Sequence, residues 1–157
     1  MPARDTPDAH FLQTLPLFSD CAPAQIESLA RHIIPAAISR HQTLYREGDP
    51  SRHIHILLRG EVCLEKDRGE GAEPMRLAII HASEYFGLGE FMLARYYTTA
   101  TALADCKLLQ IASPDFRKHF LDIESIRDKV MTQLSEIARY LLFSVAAGSG
   151  VNMLAFY

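Results

Sequence analysis

The feature that most constrains this chain is a change of hydrophobic period. From Ile33 to Ile111, apolar residues come in short runs broken by turn residues; from about Ile123 onward they recur in steps of four and three. The first pattern belongs to strands, whose side chains alternate between two faces, and the second to a helix with one apolar stripe. His53–Leu58 carries the strand signal most clearly: Ile54, Ile56 and Leu58 face one way, and His53, His55 and Leu57 the other. Arg46-Glu47-Gly48-Asp49-Pro50, Arg59-Gly60 and the charged loop 66–74 supply turns, and further strands are expected over Leu77–Ile80, Thr98–Leu103 and Lys107–Ile111. Short strands at this spacing predict a small barrel or jelly roll.

Helices should flank that unit. Phe11, Leu12 and Leu15 have helical spacing before Pro16, a second helix begins near Pro23, and Pro35 is expected to close it. Ser113-Pro114-Asp115 reads as a helix start, with Ser113 as the N-cap. The final helix carries the heptad seam Val130, Leu134, Ile137, Leu141, Ser144, Gly148, Val151 and Ala155. A seam of about four heptads is hard to bury on one small barrel, so the expected partner is a second copy in a parallel dimer. Small residues near Ser144–Gly148 form either a close-approach point or a pocket floor, and Gly148 and Gly150 weaken the helix there by about 1 kcal/mol each.

Composition excludes several classes. The chain has 157 residues, 48% of them hydrophobic, which suits one domain with a sizeable core. The net charge of −3 is not that of a nucleic-acid-binding surface. Three widely spaced cysteines form neither a disulfide framework nor a CxxC pair. The chain holds no apolar run of 18 residues and no signal-peptide pattern at its start, so the expectation is a cytoplasmic protein with no membrane partner.

The functional centre is expected at Phe86–Ala102, FGLGEFMLARYYTTATA. Gly87 and Gly89 permit a sharp bend and a close backbone approach, and Glu90 to Arg95 is compatible with a short helical turn. Such a turn would aim N–H groups at a ligand placed over it.

Taken together, Leu17-Phe18, Tyr45-Arg46-Glu47-Gly48-Asp49, Leu57-Leu58-Arg59-Gly60-Glu61-Val62, Tyr85-Phe86-Gly87, Thr99-Ala100-Thr101-Ala102 and Leu154-Ala155-Phe156-Tyr157 resemble the sensor domain of the cyclic-AMP receptor and fumarate–nitrate regulator superfamily of bacterial transcription factors. The resemblance spans residues 11–157. It implies a mainly β fold with flanking helices: a double-stranded β-helix jelly-roll barrel followed by a long C-terminal dimerisation helix. It further implies N-terminal helices over 1–32, a barrel over 33–112 with its ligand cassette at 85–102, and the helical dimerisation region at 113–157. The family continues into a helix-turn-helix domain, so DNA contact is expected only through a domain missing from these residues.

The cassette departs from cyclic-nucleotide binders, whose pattern resembles F-G-E at its start and R-[ST]-A at its end. An acid there accepts the ribose hydroxyl and an arginine pairs with the cyclic phosphate. Leu88 stands at the acid in one register and Glu90 in the other; Thr98 stands at the arginine in both. The expected small-molecule effector is therefore not cyclic AMP held by the usual contacts. The expected pocket comprises Phe86, Gly87, Leu88, Gly89, Glu90, Phe91, Arg95, Thr98, Thr99, Leu141, Val145 and Gly148, with Arg95 able to compensate for the missing arginine.

Three alternatives stay open at this level. The apolar cassette also suits a haem-based sensor of nitric oxide or carbon monoxide, with His81, His55 or His41 as axial candidates by residue type. The chain could serve as a ligand-free dimerisation module. His53-x-His55 followed by Glu61 resembles part of the first metal motif of cupins, which would make it a metal-dependent enzyme. The preferred reading is a non-enzymatic sensor.

Overall fold

The structure, a computed structural model, describes residues 7–88 and 93–149, with the backbone alone for residues 141 and 144–149. Two antiparallel four-stranded sheets face each other. The strands are β1 (Ile33–Ile38), β2 (Thr43–Tyr45), β3 (His53–Arg59), β4 (Val62–Lys66), β5 (Met75–Ile80), β6 (Tyr85–Phe86), β7 (Thr99–Ala102) and β8 (Cys106–Ala112). One sheet runs β1-β8-β3-β6 and the other β2-β7-β4-β5. Helices α1 (Ala9–Gln13) and α2 (Pro23–Ala30) precede the strands; α3 (Ser113–Asp115), a π-helical turn (Phe116–Phe120) and α4 (Glu124–Ser149) follow them.

β3 shows how the sequence builds two cores from one strand. Ile54 and Ile56, both fully buried, pack with Leu12, Leu17, Phe18, Ile26, Phe116, Phe120 and Ile126 between the first sheet and the helices. Leu57 points the opposite way, into the barrel, with Tyr45, Val62, Phe86, Tyr96, Ala100 and Leu108. The alternation expected over His53–Leu58 is thus present, and the interior face carries a buried histidine, His55. Removing a buried large aliphatic side chain from either core costs about 2–5 kcal/mol.

Two local expectations are corrected. Pro35 does not end α2; it lies in β1, opposite Leu109. β1 is an edge strand, so the missing N–H of proline is tolerated there. Ser113 does not cap α3 through its side chain. It is the first helical residue, and its hydroxyl donates to the Ser51 carbonyl at 2.9 Å, tying the helix to the loop before β3.

Side chains at three points fasten α4 to the barrel end. Lys129 donates to Ser19 Oγ at 2.7 Å and pairs with Asp20 at 3.1 Å. The Gln133 amide donates to the Tyr85 carbonyl at 3.0 Å. Ile126 and Val130 are buried against the N-terminal helices. This docking changes the reading of the seam. Val130 and Leu134 pack on the chain's own core, and Ile137 lines a cavity described below. The first part of the expected dimer seam therefore faces the barrel, and Leu141, Ser144, Gly148, Val151 and Ala155 lie outside the described side chains. Met131, Ser135 and Ala138 face outward instead, with Met131 60% exposed.

Candidate functional site

An apolar cavity of about 370 Å³ opens between the second sheet, the β6 turn and α4. Tyr45 contributes from β2, Leu64 from β4, and Leu77, Ala78 and Ile80 from β5. Phe86, Gly87 and Leu88 form one wall, Tyr97 and Thr98 another, and Gln133, Glu136, Ile137 and Tyr140 close it from α4. Its size is that of a small-molecule site. Tyr85, next to this wall, has its hydroxyl pKa pushed up by burial and then by the Glu136 carboxylate.

Local backbone geometry explains the wall. Gly87 has φ +87°, a left-handed conformation that side chains rarely adopt. A Cβ at that position would lie 3.3 Å from the His53 carbonyl oxygen and 3.4 Å from the His55 ring. The chain can turn there only because glycine brings it against β3. Leu88 then enters the fold and is 2% exposed, and Thr98 is 5% exposed.

Beneath the cavity lies an aromatic stack. Tyr96 and Tyr45 stack at 3.7 Å between centroids, Tyr45 and His55 at 5.6 Å, and His55 and Phe86 at 5.1 Å. The Tyr96 hydroxyl donates to the His53 carbonyl at 2.8 Å. His55 Nε2 lies 3.4 Å from that hydroxyl, while its Nδ1 has no hydrogen-bond partner among the described residues. Burial, with a smaller contribution from His53, holds the His55 pKa down at about 3, so the ring is neutral.

Of the expected pocket residues, Phe86, Gly87, Leu88 and Thr98 come together in this cavity. Arg95 and Thr99 do not line it. The Arg95 guanidinium donates to the Gly48 carbonyl at 2.7 Å, and the Thr99 hydroxyl accepts from the Glu47 N–H at 3.0 Å. Both brace the turn after β2. Lys66 braces the same turn by donating to Glu47, and this contact leads in holding the Glu47 carboxyl below its ordinary pKa. Gly89, Glu90 and Phe91 lie outside the described residues, as do the side chains of Leu141, Val145 and Gly148. No helical turn spans residues 93–97, where Arg95 bridges Pro50 instead. The sequence assigns no pocket role to Leu64, Leu77, Ala78, Gln133, Glu136 or Tyr140, and it places Ile137 in the dimer seam. The alternation of β5 with the four-residue step Gln133–Ile137 was the available signal.

The lining also bears on the suggested ligands. No lysine or arginine is among the described lining residues, and their one charged side chain is Glu136. A cyclic phosphate would meet a carboxylate and no cation, so the described residues do not fit a cyclic nucleotide bound through its phosphate. For haem the described lining offers no histidine, cysteine or methionine; its candidate axial ligands among the described residues are the tyrosines Tyr45, Tyr97 and Tyr140. His81 instead faces Glu61 at 3.6 Å on the surface. Among the described residues His53, His55 and Glu61 do not gather as a metal-binding group, so the three residues of the cupin-like motif do not converge.

The fold and this cavity can be set beside known proteins. The family model described as the cyclic nucleotide-binding domain matches residues 36–122, more than half of the chain. The chain belongs to the cyclic nucleotide-binding domain family. A CRP-like cAMP-activated global transcriptional regulator of Mycobacterium tuberculosis is 23% identical over 124 residues, which is 78% of this chain and 55% of that protein. The chain thus spans about half the length of the curated relatives it matches. Among solved structures, the sensor domain of the transcriptional regulator DNR from Pseudomonas aeruginosa superposes with a TM-score of 0.69 at 18% identity, covering 82% of this chain and 91% of that one. The regulatory subunit of a cAMP-independent protein kinase A from Trypanosoma cruzi, bound to guanosine, superposes with a TM-score of 0.73 at 17% identity, covering 91% of this chain and 50% of that one. No helix among the described residues is long and apolar enough to cross a membrane.

Proposed function

We propose that this chain is the effector-sensing and dimerisation part of a CRP-like bacterial transcriptional regulator, and that its effector is a small, largely apolar molecule rather than cyclic AMP. The observation that carries this reading is the cavity's wall. In the register that matches Phe86-Gly87 to the family pattern, Leu88 stands at the ribose-binding acid; Thr98 stands at the phosphate-binding arginine in either register, and both residues are buried in an apolar lining. The similarity to two regulators, one of them an isolated sensor domain, supports the regulatory role.

The mechanism follows from which elements share the cavity. Ile137 and Tyr140 reach it from α4, while Phe86 and Leu88 reach it from the barrel. An occupant touching both walls shifts α4 only to the extent that it binds one helix position better than another. On its far side α4 presents Met131, Ser135, Ala138 and Leu142, again spaced four, three and four. Ser135 returns its hydroxyl to the Met131 carbonyl at 2.9 Å, which leaves that stripe small and weakly polar. A second copy packs along it, one position away from the seam suggested by sequence, and a shift of α4 is passed to a DNA-reading domain beyond the helix.

The test uses the neutral apolar fluorophore N-phenyl-1-naphthylamine. Titration into the native chain should give saturable fluorescence enhancement, and Ile137→Trp, which fills the cavity, should weaken binding at least tenfold. Equal affinity in the two proteins would place the dye elsewhere and overturn the assignment of the cavity.

A further inference from the structure

Outside the cavity lining, three half-buried side chains from two separate stretches converge. His32 follows α2 at the entrance to β1, and Asp115 and His119 stand four residues apart where α3 runs into the π-helical turn. One ligand atom from each lies within 4.8 Å of the others. The two imidazoles stack at 4.2 Å between centroids with 15° between planes, and His32 Nδ1 lies 3.6 Å from Asp115 Oδ2. No hydrogen bond joins the carboxylate to either ring, and the 3.6 Å approach of His32 Nδ1 to Asp115 Oδ2 is an ion pair only when His32 is protonated.

We infer that His32, Asp115 and His119 form a binding site for a divalent transition-metal ion of the zinc or cobalt type. Two imidazoles and one carboxylate suit such borderline ions rather than calcium or magnesium, which take oxygen ligands. The scaffold is rigid where it matters. His32 donates its backbone N–H to Leu29 at 2.9 Å, and its neighbour Ile33 is buried. Asp115 and His119 each precede a fully buried phenylalanine, Phe116 and Phe120, whose rings stack at 5.4 Å. The wide turn between them is closed by the Leu121 N–H to Phe116 carbonyl bond at 3.0 Å, and such π-turns recur at functional sites.

Binding needs the imidazole stack to open, because each lone pair lies in its ring plane and two nearly parallel rings cannot aim theirs at one ion. Ligand atoms about 2.0–2.2 Å from a tetrahedral zinc lie about 3.4 Å from one another, so atoms now up to 4.8 Å apart must also close by roughly 1.4 Å. The His32 and Asp115 side chains are 17% and 41% exposed, which leaves room for that rotation and for a water as fourth ligand. Arg31 opposes it: its Nε donates to His32 Nε2 at 3.2 Å, which requires a lone pair on that nitrogen. An ion on Nδ1 would leave Nε2 protonated, so this bond must break. The ion would clamp the start of β1 to the segment that leads into α4.

The experiment is a cobalt(II) titration of the chelator-treated chain, read by d–d absorption, with zinc(II) competition for the affinity. The native chain should bind one equivalent in the micromolar range. Asp115→Asn and His119→Ala should weaken binding at least tenfold, whereas His81→Ala should leave it unchanged. Arg31→Ala should tighten it several-fold. His119→Cys should restore cobalt binding with a thiolate-to-metal charge-transfer band, which separates ligation from a purely structural role for His119. Affinity weaker than about 100 µM, or affinity unmoved by Asp115→Asn and His119→Ala, overturns the inference.

Discussion

His55 should make this fold acid-sensitive in a way that one substitution removes. The ring is 2% exposed, stacked between Tyr45 and Phe86, and its pKa is held at about 3. In the unfolded chain the same imidazole titrates near 6.5. Below that pH the unfolded state takes up a proton that the folded state refuses, so stability falls as pH falls, and the loss levels off below the folded pKa. Between pH 7 and pH 5 this amounts to about 2 kcal/mol from His55 alone. His53, whose pKa is also lowered by burial and by Arg52, adds to the wild-type loss in the same direction. His55→Phe keeps the aromatic stack and leaves Tyr96 bonded to the His53 carbonyl. Urea denaturation of both proteins at the two pH values isolates the His55 share. The variant should lose about 2 kcal/mol less than wild type over that interval; a difference under about 0.5 kcal/mol would mean that the buried ring accepts a proton, and the reasoning would fail.

Further outcomes follow from the same structure. Gly60 has φ +95°, and a Cβ there would lie 2.6 Å from the Asp105 carbonyl and from Cys106 Sγ, so Gly60→Ala should cost about 2 kcal/mol or more in urea denaturation; a loss under about 0.5 kcal/mol contradicts the strain. Gln133→Leu removes the amide bond from α4 to the Tyr85 carbonyl and should lower stability by about 1 kcal/mol and raise hydrogen exchange in the middle of α4; unchanged exchange contradicts its role as a clamp. Ala138→Glu, on the outward face of α4, should convert a sedimenting dimer to monomer, and a dimer unaffected at micromolar concentration would place the interface on another face.

Much of the fold was legible because strand alternation and turn chemistry act locally. The His53–Leu58 alternation, the Gly48 and Gly60 turns and the Gly87 bend all lie where the residues suggested. Three things were less legible, each for a physical reason. Parity alone groups His55 with Leu57, but it does not say which strand face enters the barrel, and the polar type of His55 gives no sign that the residue is buried. The stripe Val130–Leu134–Ile137 fits both a partner helix and the chain's own barrel, and periodicity alone does not say which surface covers it. Leu64, Leu77 and Ala78 are ordinary strand residues by composition, and only the pairing of β4 with β5 and the docking of α4 turn them into a cavity wall.

In the function we propose, the family's ligand cavity is kept while its phosphate contact is lost at Thr98 and, in the Phe86-Gly87 register, its ribose contact at Leu88. Calorimetric titration of cyclic AMP into the native chain and into the Leu88→Glu/Thr98→Arg double variant tests it most directly. The account predicts no binding to the native chain at up to millimolar nucleotide and a gain of at least tenfold in affinity in the folded variant, since the restored pair would supply the missing charge-assisted bonds. Micromolar binding of cyclic AMP to the native chain would contradict it.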